Sequence, residues 1–507
     1  MLIEVLLLVT VLSAIAVMVV DDEIAGRLAF GLSLLPLAGS LLMYSGFDGS
    51  GNALLGGDIA YQTKAEWITV GPYDLGYHVG VDGIGLALVV LTTLLMTLAI
   101  LSSWTPIDER QSQFYGLMLF MEASLIGVFT ALDFFAWFVA WEFVLVPMYF
   151  LIAIWGGPRR KYAAIKFFVY TNVASLVMFI GFIALVFGLP VQSLDLPTIT
   201  QSLQAGELGS LGGISADTLR AIAFIAMFAG FAVKVPMVPF HTWLPDAHVE
   251  APTPVSVILA GVLLKMGTYA MLRFNFTMLP GQARDFAIPI AVLAVISVIY
   301  GAMLAMAQQD LKRIVAYSSI SSMGYVLLGL IAYNLYGVGG ATFQMVAHGL
   351  ISGLMFMSVG VIYNVAHTRM VGDLSGLADR MPVTATVFTA AAFGYMGLPL
   401  MAGFAGELYI FLGAMQSTVL PYAQLFTAVA MFGIVIVAGY LLFAMQRVLF
   451  GPFRADTDYD IVPAAVHDQI SIVVLILVIV LFGVVPDLLY VNIQDAVRPI
   501  LAIGGGL

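Results

Sequence analysis

The 507-residue sequence contains no cysteine. This excludes disulfides, thiol nucleophiles, cysteine-ligated zinc and thiolate-bound iron–sulfur clusters, so any redox chemistry has to belong to a partner. Charge is scarce as well. Only 10% of residues are Asp, Glu, Lys or Arg, against 61% hydrophobic, and the mean hydropathy is +1.03. Those values lie far outside the range of an ordinary soluble domain and specify a polytopic membrane protein. No Walker A loop, dinucleotide-binding glycine fingerprint or catalytic triad arrangement is present, which argues against ATP-driven pumping by this chain alone. The net charge of −11 resides between the apolar runs, for example in Asp21, Asp22 and Glu23 or in Asp456, Asp458 and Asp460. Solvated loop ends account for it, with an acidic surface suited to high salt as the alternative. The first apolar run, Val5 to Val20, lacks a basic leader and a small-residue cleavage site, so it reads as a first spanning helix.

At about 20 apolar residues per crossing, about fourteen spans are expected, starting near residues 2, 28, 83, 114, 134, 163, 219, 254, 286, 314, 338, 385, 424 and 468. The expected fold is therefore an all-α integral membrane protein, a single polytopic domain over 1–507. It divides into three N-terminal helices (1–105), five helices (110–275), five more (284–450) and a C-terminal helix (465–490). The longest segments between spans, Phe47 to Val81 and Leu189 to Asp217, are Gly- and Asp-rich and are expected as loops on one side of the membrane.

Loops after odd-numbered spans hold twelve basic residues: Arg27, Arg110, Arg159, Arg160, Lys161, Lys166, Lys312, Arg313, Arg369, Arg380, Arg447 and Arg454. The opposite side holds five, Lys64, Arg220, Arg273, Arg284 and Arg498. This imbalance places the odd loops in the cytoplasm and both termini on the outer side. Arg159, Arg160 and Lys161 read as topology anchors, or as a docking patch for a cytoplasmic partner or anionic lipid. Lys234 and Lys265 complete the total of 19 and cannot be assigned to a surface.

Two spans carry proline deep inside: Phe231-Ala-Val-Lys-Val-Pro-Met-Val-Pro-Phe240 and Gly397-Leu-Pro-Leu-Met-Ala-Gly-Phe-Ala-Gly-Glu407. Proline removes a backbone donor and clashes with the preceding turn, so both are expected as broken helices. They lie five spans apart, and an odd-numbered repeat inverts its own topology. Spans 4 to 8 and 9 to 13 therefore fit two inverted five-helix repeats, each with one broken helix.

Intramembrane charge marks the candidate site. A charge at the middle of a spanning helix costs roughly 2.5 to 3.5 kcal/mol, so Glu142, Lys234, Lys265 and Glu407 together would forfeit about 10 kcal/mol facing lipid. Glu142 has apolar and aromatic sequence neighbours and needs a cation or a proton; Lys234, at similar depth, is its natural partner, either in a static buried ion pair or in a titrating one. Lys265 lies too deep to snorkel to either surface, and burial makes a neutral, proton-relaying lysine accessible. His348 is either a satisfied core histidine or a link in the same path, with Gln344 one turn away and Tyr317, Ser318, Ser319, Ser321 and Ser322 on the preceding span. Glu407 is protonated, solvated or paired with a neighbouring subunit. Glu122 is a fifth intramembrane acid, which either supports Glu142 or faces a partner. His241, Asp246, His248 and Glu250 resemble a metal cluster, but their spacing matches no standard motif and four prolines stiffen the loop.

The stretches Trp141-Glu-Phe-Val-Leu-Val-Pro-Met-Tyr-Phe-Leu-Ile152, Trp155-Gly-Gly, Lys166-Phe-Phe-Val-Tyr-Thr171, Lys234-Val-Pro, His241-Thr-Trp-Leu-Pro-Asp-Ala-His-Val-Glu-Ala-Pro252, Ala260-Gly-Val-Leu-Leu-Lys-Met-Gly-Thr-Tyr269 and His348-Gly-Leu-Ile-Ser-Gly resemble the antiporter-like subunits of respiratory complex I. The resemblance spans nearly the whole chain. That family also has relatives in cation/proton antiporter complexes and membrane-bound hydrogenases. Most members carry lysine where this chain has Glu407, so the acid, together with Lys265, resembles the chain 4 or subunit M branch. The resemblance implies proton transfer through Glu142 and Lys234 as a coupling pair, Lys265 as central relay, His348 as a link and Glu407 as the terminal site near the outer exit. It implies a translocase subunit of NADH–quinone oxidoreductase with no cofactor of its own, neighbouring antiporter-like subunits and membrane lipid as partners, and protons as cargo. A multisubunit cation/proton antiporter or a hydrogenase complex is the alternative.

Overall fold

A computed structural model describes residues 1–455 and 464–504; Asp456, Asp458 and Asp460 lie outside the described residues. The bundle begins with α1 (Leu2–Met18) and α2 (Asp22–Ser45), passes a β-hairpin of β1 (Ala60–Val70) and β2 (Tyr73–Val81), and continues with α3 (Gly83–Ser102) and α4 (Gln111–Thr130). It then runs through α5 (Phe134–Phe143), α6 (Leu145–Trp155), α7 (Arg160–Gly188), α8 (Leu196–Gln204), α9 (Ala216–Lys234) and α10 (Trp243–Glu250) to α11 (Thr253–Thr277). The second half comprises α12 (Ala287–Met306), α13 (Leu311–Ile331), α14 (Leu335–Ala366), α15 (Pro382–Tyr395), α16 (Ala402–Met415), α17 (Ala423–Leu449), α18 (Val466–Val484) and α19 (Asp487–Gly504).

Among the described residues, twelve helices are long and apolar enough to cross a membrane, and Leu2–Met18 and Ala402–Met415 are two shorter apolar ones. Together they match the expected fourteen spans. Helices satisfy every backbone group internally, which is what the bilayer demands. Their starts are set by side-chain caps. Asp82, Asp133, Ser215, Asp310 and Asn334 each accept backbone N–H groups at the first turn of α3, α5, α9, α13 and α14. The innermost helices are α11 and α14, wholly buried along their spanning windows, with α13 and α3 nearly so.

Both proline-bearing spans are broken. The chain leaves α9 at Lys234 and resumes helically in α10, and it leaves α15 at Tyr395 and resumes in α16. A third interruption, between α5 and α6 at Val144, is explained by Pro147, which has no N–H to give the Phe143 carbonyl.

The segment expected as the first long loop instead contains the hairpin. Gly71, at φ +62°, occupies the first position of a two-residue turn between Val70 and Tyr73, a backbone region that favours glycine. Bridges Asp74 to Ser193, Val79 to Ala131 and Asp133 to Asp195 stitch the hairpin to the loops after α4 and α7. His78 Nδ1 lies 2.5 Å from the Asp195 carboxylate and Lys64 Nζ lies 3.2 Å from it. Loops after even-numbered spans thus meet on one face, as the span count required. On the opposite face Asp246 gathers Lys166 at 2.7 Å, Arg313 at 3.4 Å and Arg159 at 3.9 Å.

Two basic residues counted toward the membrane surfaces are buried. Arg273 pairs with Asp82 at 2.5 Å, and Lys312 Nζ donates to the Ala251 carbonyl at 2.7 Å. Residue counting placed both near span ends, where burial depends on which neighbouring helix covers the end.

Candidate functional site

Lys265 sits on α11, 0% exposed, between two π-helical stretches, Leu259–Leu263 and Met271–Thr277. Such departures from α geometry recur at functional sites. Its Nζ donates to the Ala260 carbonyl at 2.6 Å and lies 2.7 Å from His348 Nδ1 on α14. Glycine makes this meeting possible. A Cβ placed on Gly349 would come within 2.7 Å of the Gly261 carbonyl oxygen and of Leu91, so α11 and α14 cross at a distance only small residues allow. At 2.7 Å, two positive charges would repel by about 6 kcal/mol even at an effective dielectric constant of 20. The pair therefore carries at most one positive charge.

From His348 the buried polar groups continue toward Glu407. Gln344 lies one turn earlier on α14, and a Cβ on Gly406 would collide with its amide oxygen. Glu407, 4% exposed, stands in the second turn of α16, just past the break. Gly397 in that break has φ +62°, and any Cβ there would collide with the Glu407 carboxylate. The break thus makes room for the carboxyl group. Tyr395 meets the His348 ring edge to face at 5.7 Å and lies 3.3 Å from the Ser319 hydroxyl, while Tyr440 and Ser318 hydroxyls are 2.6 Å apart. His348 Nε2, Gln344 Oε1, Glu407 Oε2 and the Tyr325 hydroxyl are buried with no protein partner, a concentration of unpaired polar atoms that native interiors normally avoid.

Glu142 and Lys234 are brought near each other but not into contact; no ion pair within 4.0 Å joins them among the described residues. Glu142 is half-buried and accepts from Asn172 Nδ2 at 3.1 Å. Lys234, 1% exposed, has no hydrogen-bond partner and lies 4.5 Å from the centroid of the Trp141 ring. A Cβ on Gly267 would meet the Lys234 Cβ at 3.2 Å, so the end of α9 packs on α11 two residues from Lys265.

Asn172, Ser175 and Tyr395 were not singled out in the sequence, although Asn172 is a polar residue inside an apolar helix. Glu122 is 0% exposed on α4, and neither of its oxygens has a partner. Asp246 and Glu250 are engaged by cations, Glu250 lying 3.4 Å from Arg159 Nε and also accepting from the Arg159 backbone N–H at 2.8 Å. His248 stacks on Phe356 at 4.5 Å, and His241 packs edge-on against Tyr300. Among the described residues no group of three or more His, Asp or Glu is arranged to hold a metal ion.

Residues 131–436 match the family described as NADH:quinone oxidoreductase/Mrp antiporter, transmembrane. Among curated relatives, subunit M of the NADH-quinone oxidoreductase of Rhodobacter capsulatus is 38% identical over 95% of this chain and 90% of its own length. Chain 4 of the NAD(P)H-quinone oxidoreductase of Synechococcus elongatus is 44% identical over 77% of this chain and 71% of its own. Among solved structures, a chain of respiratory complex I from Thermus thermophilus superposes with a TM-score of 0.85 over the full length of both chains at 24% identity, a likeness of fold. With more than half of its length matched, this chain belongs to the NADH:quinone oxidoreductase/Mrp antiporter transmembrane family.

Proposed function

We propose that the chain is the proton-translocating subunit M, or chain 4, of an NADH–quinone oxidoreductase of the complex I type, moving protons as quinone is reduced elsewhere in the assembly. The single observation that supports this reading best is the 2.7 Å approach of Lys265 to His348 within a buried polar row that runs on to Glu407. The roles follow from position. Glu142 and Lys234 form the coupling pair, Lys265 is the central relay, His348 the link and Glu407 the terminal site. Spans 4 to 8 and 9 to 13 act as inverted repeats, and the odd loops face the cytoplasm with both termini outside. Cofactors belong to partner subunits; neighbouring antiporter-like subunits flank this one.

The coupling is electrostatic. When Lys234 approaches Glu142 its charge is neutralised locally and Lys265 gains affinity for a proton; when it withdraws, the Lys265 to His348 pair is driven to release one. A coupling of roughly 1 to 3 kcal/mol shifts such populations several-fold to more than a hundredfold. Lys265→Ala in the assembled complex is expected to abolish proton translocation, read as acidification of membrane vesicles during quinone reduction. Normal translocation with normal assembly would sink the reading. An Mrp-type antiporter role would show instead as transport that requires a sodium gradient and no quinone reduction.

A further inference from the structure

Of the two lysines in the proposed set, Lys265 has a carbonyl and an imidazole as partners, whereas Lys234 has no hydrogen-bond partner; its ammonium lies 4.5 Å from the centre of the Trp141 ring. Trp141 is not free to drift away. Its Nε1 donates to Ser175 Oγ at 2.9 Å, and its ring packs against Trp137 at 4.9 Å and Phe231 at 5.7 Å. The next residue, Glu142, is held by Asn172. Asn172 and Ser175 are three residues apart and share one face of α7, so a single helix face fixes both the ring and the carboxylate. The backbone of Lys234 is fixed as well, by its close packing on Gly267. What remains mobile is the lysine side chain, with two acceptors carried side by side on the last turn of α5.

We propose that Trp141 is a positioning residue for proton translocation: its indole face is a second station for the Lys234 ammonium, in competition with Glu142, and holds the coupling pair open. An aromatic face attracts a desolvated cation strongly, and the competing Glu142 carboxylate already accepts from Asn172 through Oε2, while its Oε1 is buried with no partner. The pair then has two resting arrangements of comparable energy, which a switch requires and a simple buried ion pair lacks. The inference rests on the coupling role proposed for Glu142 and Lys234.

The test varies the ring's electron density without changing its size. Trp141 is replaced site-specifically, in the assembled complex, by mono-, di- and tetrafluorotryptophan, and protons translocated per quinone reduced are measured in vesicles. Translocation is expected to fall in step with fluorination, with Trp141→Phe intermediate and Trp141→Leu lower by roughly tenfold or more. A flat response across the fluorinated series, with the complex intact, overturns the proposal. Should Trp141→Leu fail to assemble, the fluorinated series still decides, because it preserves shape and the Nε1 donor. Glu142→Gln and Lys234→Ala separate the two levels. If both leave translocation unchanged, the coupling role itself falls; if both abolish it while the fluorinated series is flat, only the station on Trp141 falls.

Discussion

The amine nitrogen of Lys265 and Nδ1 of His348, 83 residues apart in sequence, are 2.7 Å apart between two helices wholly buried along their spanning windows. Two bases so close cannot both be charged without strong repulsion, so a proton on one lowers the other's affinity for a second. Removing either therefore removes the same event. His348→Leu is expected to slow proton translocation on the order of 10²-fold, and the double variant with Lys265→Ala to be no worse than the worse single one. Additive losses would place the two residues on separate routes.

The crossing that brings them together depends on Gly261 and Gly349. In Gly349→Ala the new methyl group would press on the Gly261 carbonyl oxygen and on Leu91, both 2.7 Å away. Overpacking of this kind costs about 1 to 3 kcal/mol, and the relief available is separation of α11 from α14. Translocation should fall although no ionisable group has changed, with a lowered unfolding temperature in detergent. A variant with unchanged stability and unchanged transport would refute the close-crossing argument.

At the far end, Gly397→Ala forces a side chain into positive φ and onto the Glu407 carboxylate. The backbone strain alone amounts to roughly 1 to 3 kcal/mol. Glu407→Gln, by contrast, keeps shape and size, so it should assemble normally and lose translocation. The contrast is checked by comparing complex yield on native gels with vesicle acidification for the two variants.

The face that carries the hairpin should respond to acid through Asp195. Burial alone would raise this carboxyl, but the His78 and Thr198 hydrogen bonds and the charges of His78 and Lys64 hold it at about 2. A group depressed in the folded state stabilises above its unfolded value of about 3.9 and loses that contribution as pH falls toward 2. Amide protection in Ala60–Val70 and Tyr73–Val81, taken relative to the unstructured chain at the same pH, should therefore fall between about pH 4 and 2, and in Asp195→Asn it should already be lower at neutral pH with the acid step gone. Protection that is flat with pH in the native chain would remove Asp195 from the hairpin's support.

Composition and hydropathy were enough to specify a helical membrane bundle, because continuous apolar runs of about 20 residues satisfy their backbone in lipid as helices, whereas barrel strands alternate over about ten residues. The starts of the spans were legible to within a few residues, since apolar runs and capping residues are local signals. Pro236 and Pro399 gave away the two broken spans for the same reason. Buried charge stood out as well: in a sequence this apolar, Lys265 and Glu407 are anomalies wherever they pack. The hairpin has a local signal in the alternation around Trp67 and in Gly71-Pro72, but the surrounding Gly- and Asp-rich segment gives the pattern of a loop between crossings. What the sequence could not decide is who touches whom. Whether Lys312 and Arg273 meet water or a neighbouring helix, whether Lys234 rests on Glu142 or on Trp141, and whether His348 is filler or the partner of Lys265 depend on helix crossings set by glycines far apart in the chain. Those are sums of many small packing energies over distant segments, and only the tertiary structure adds them up.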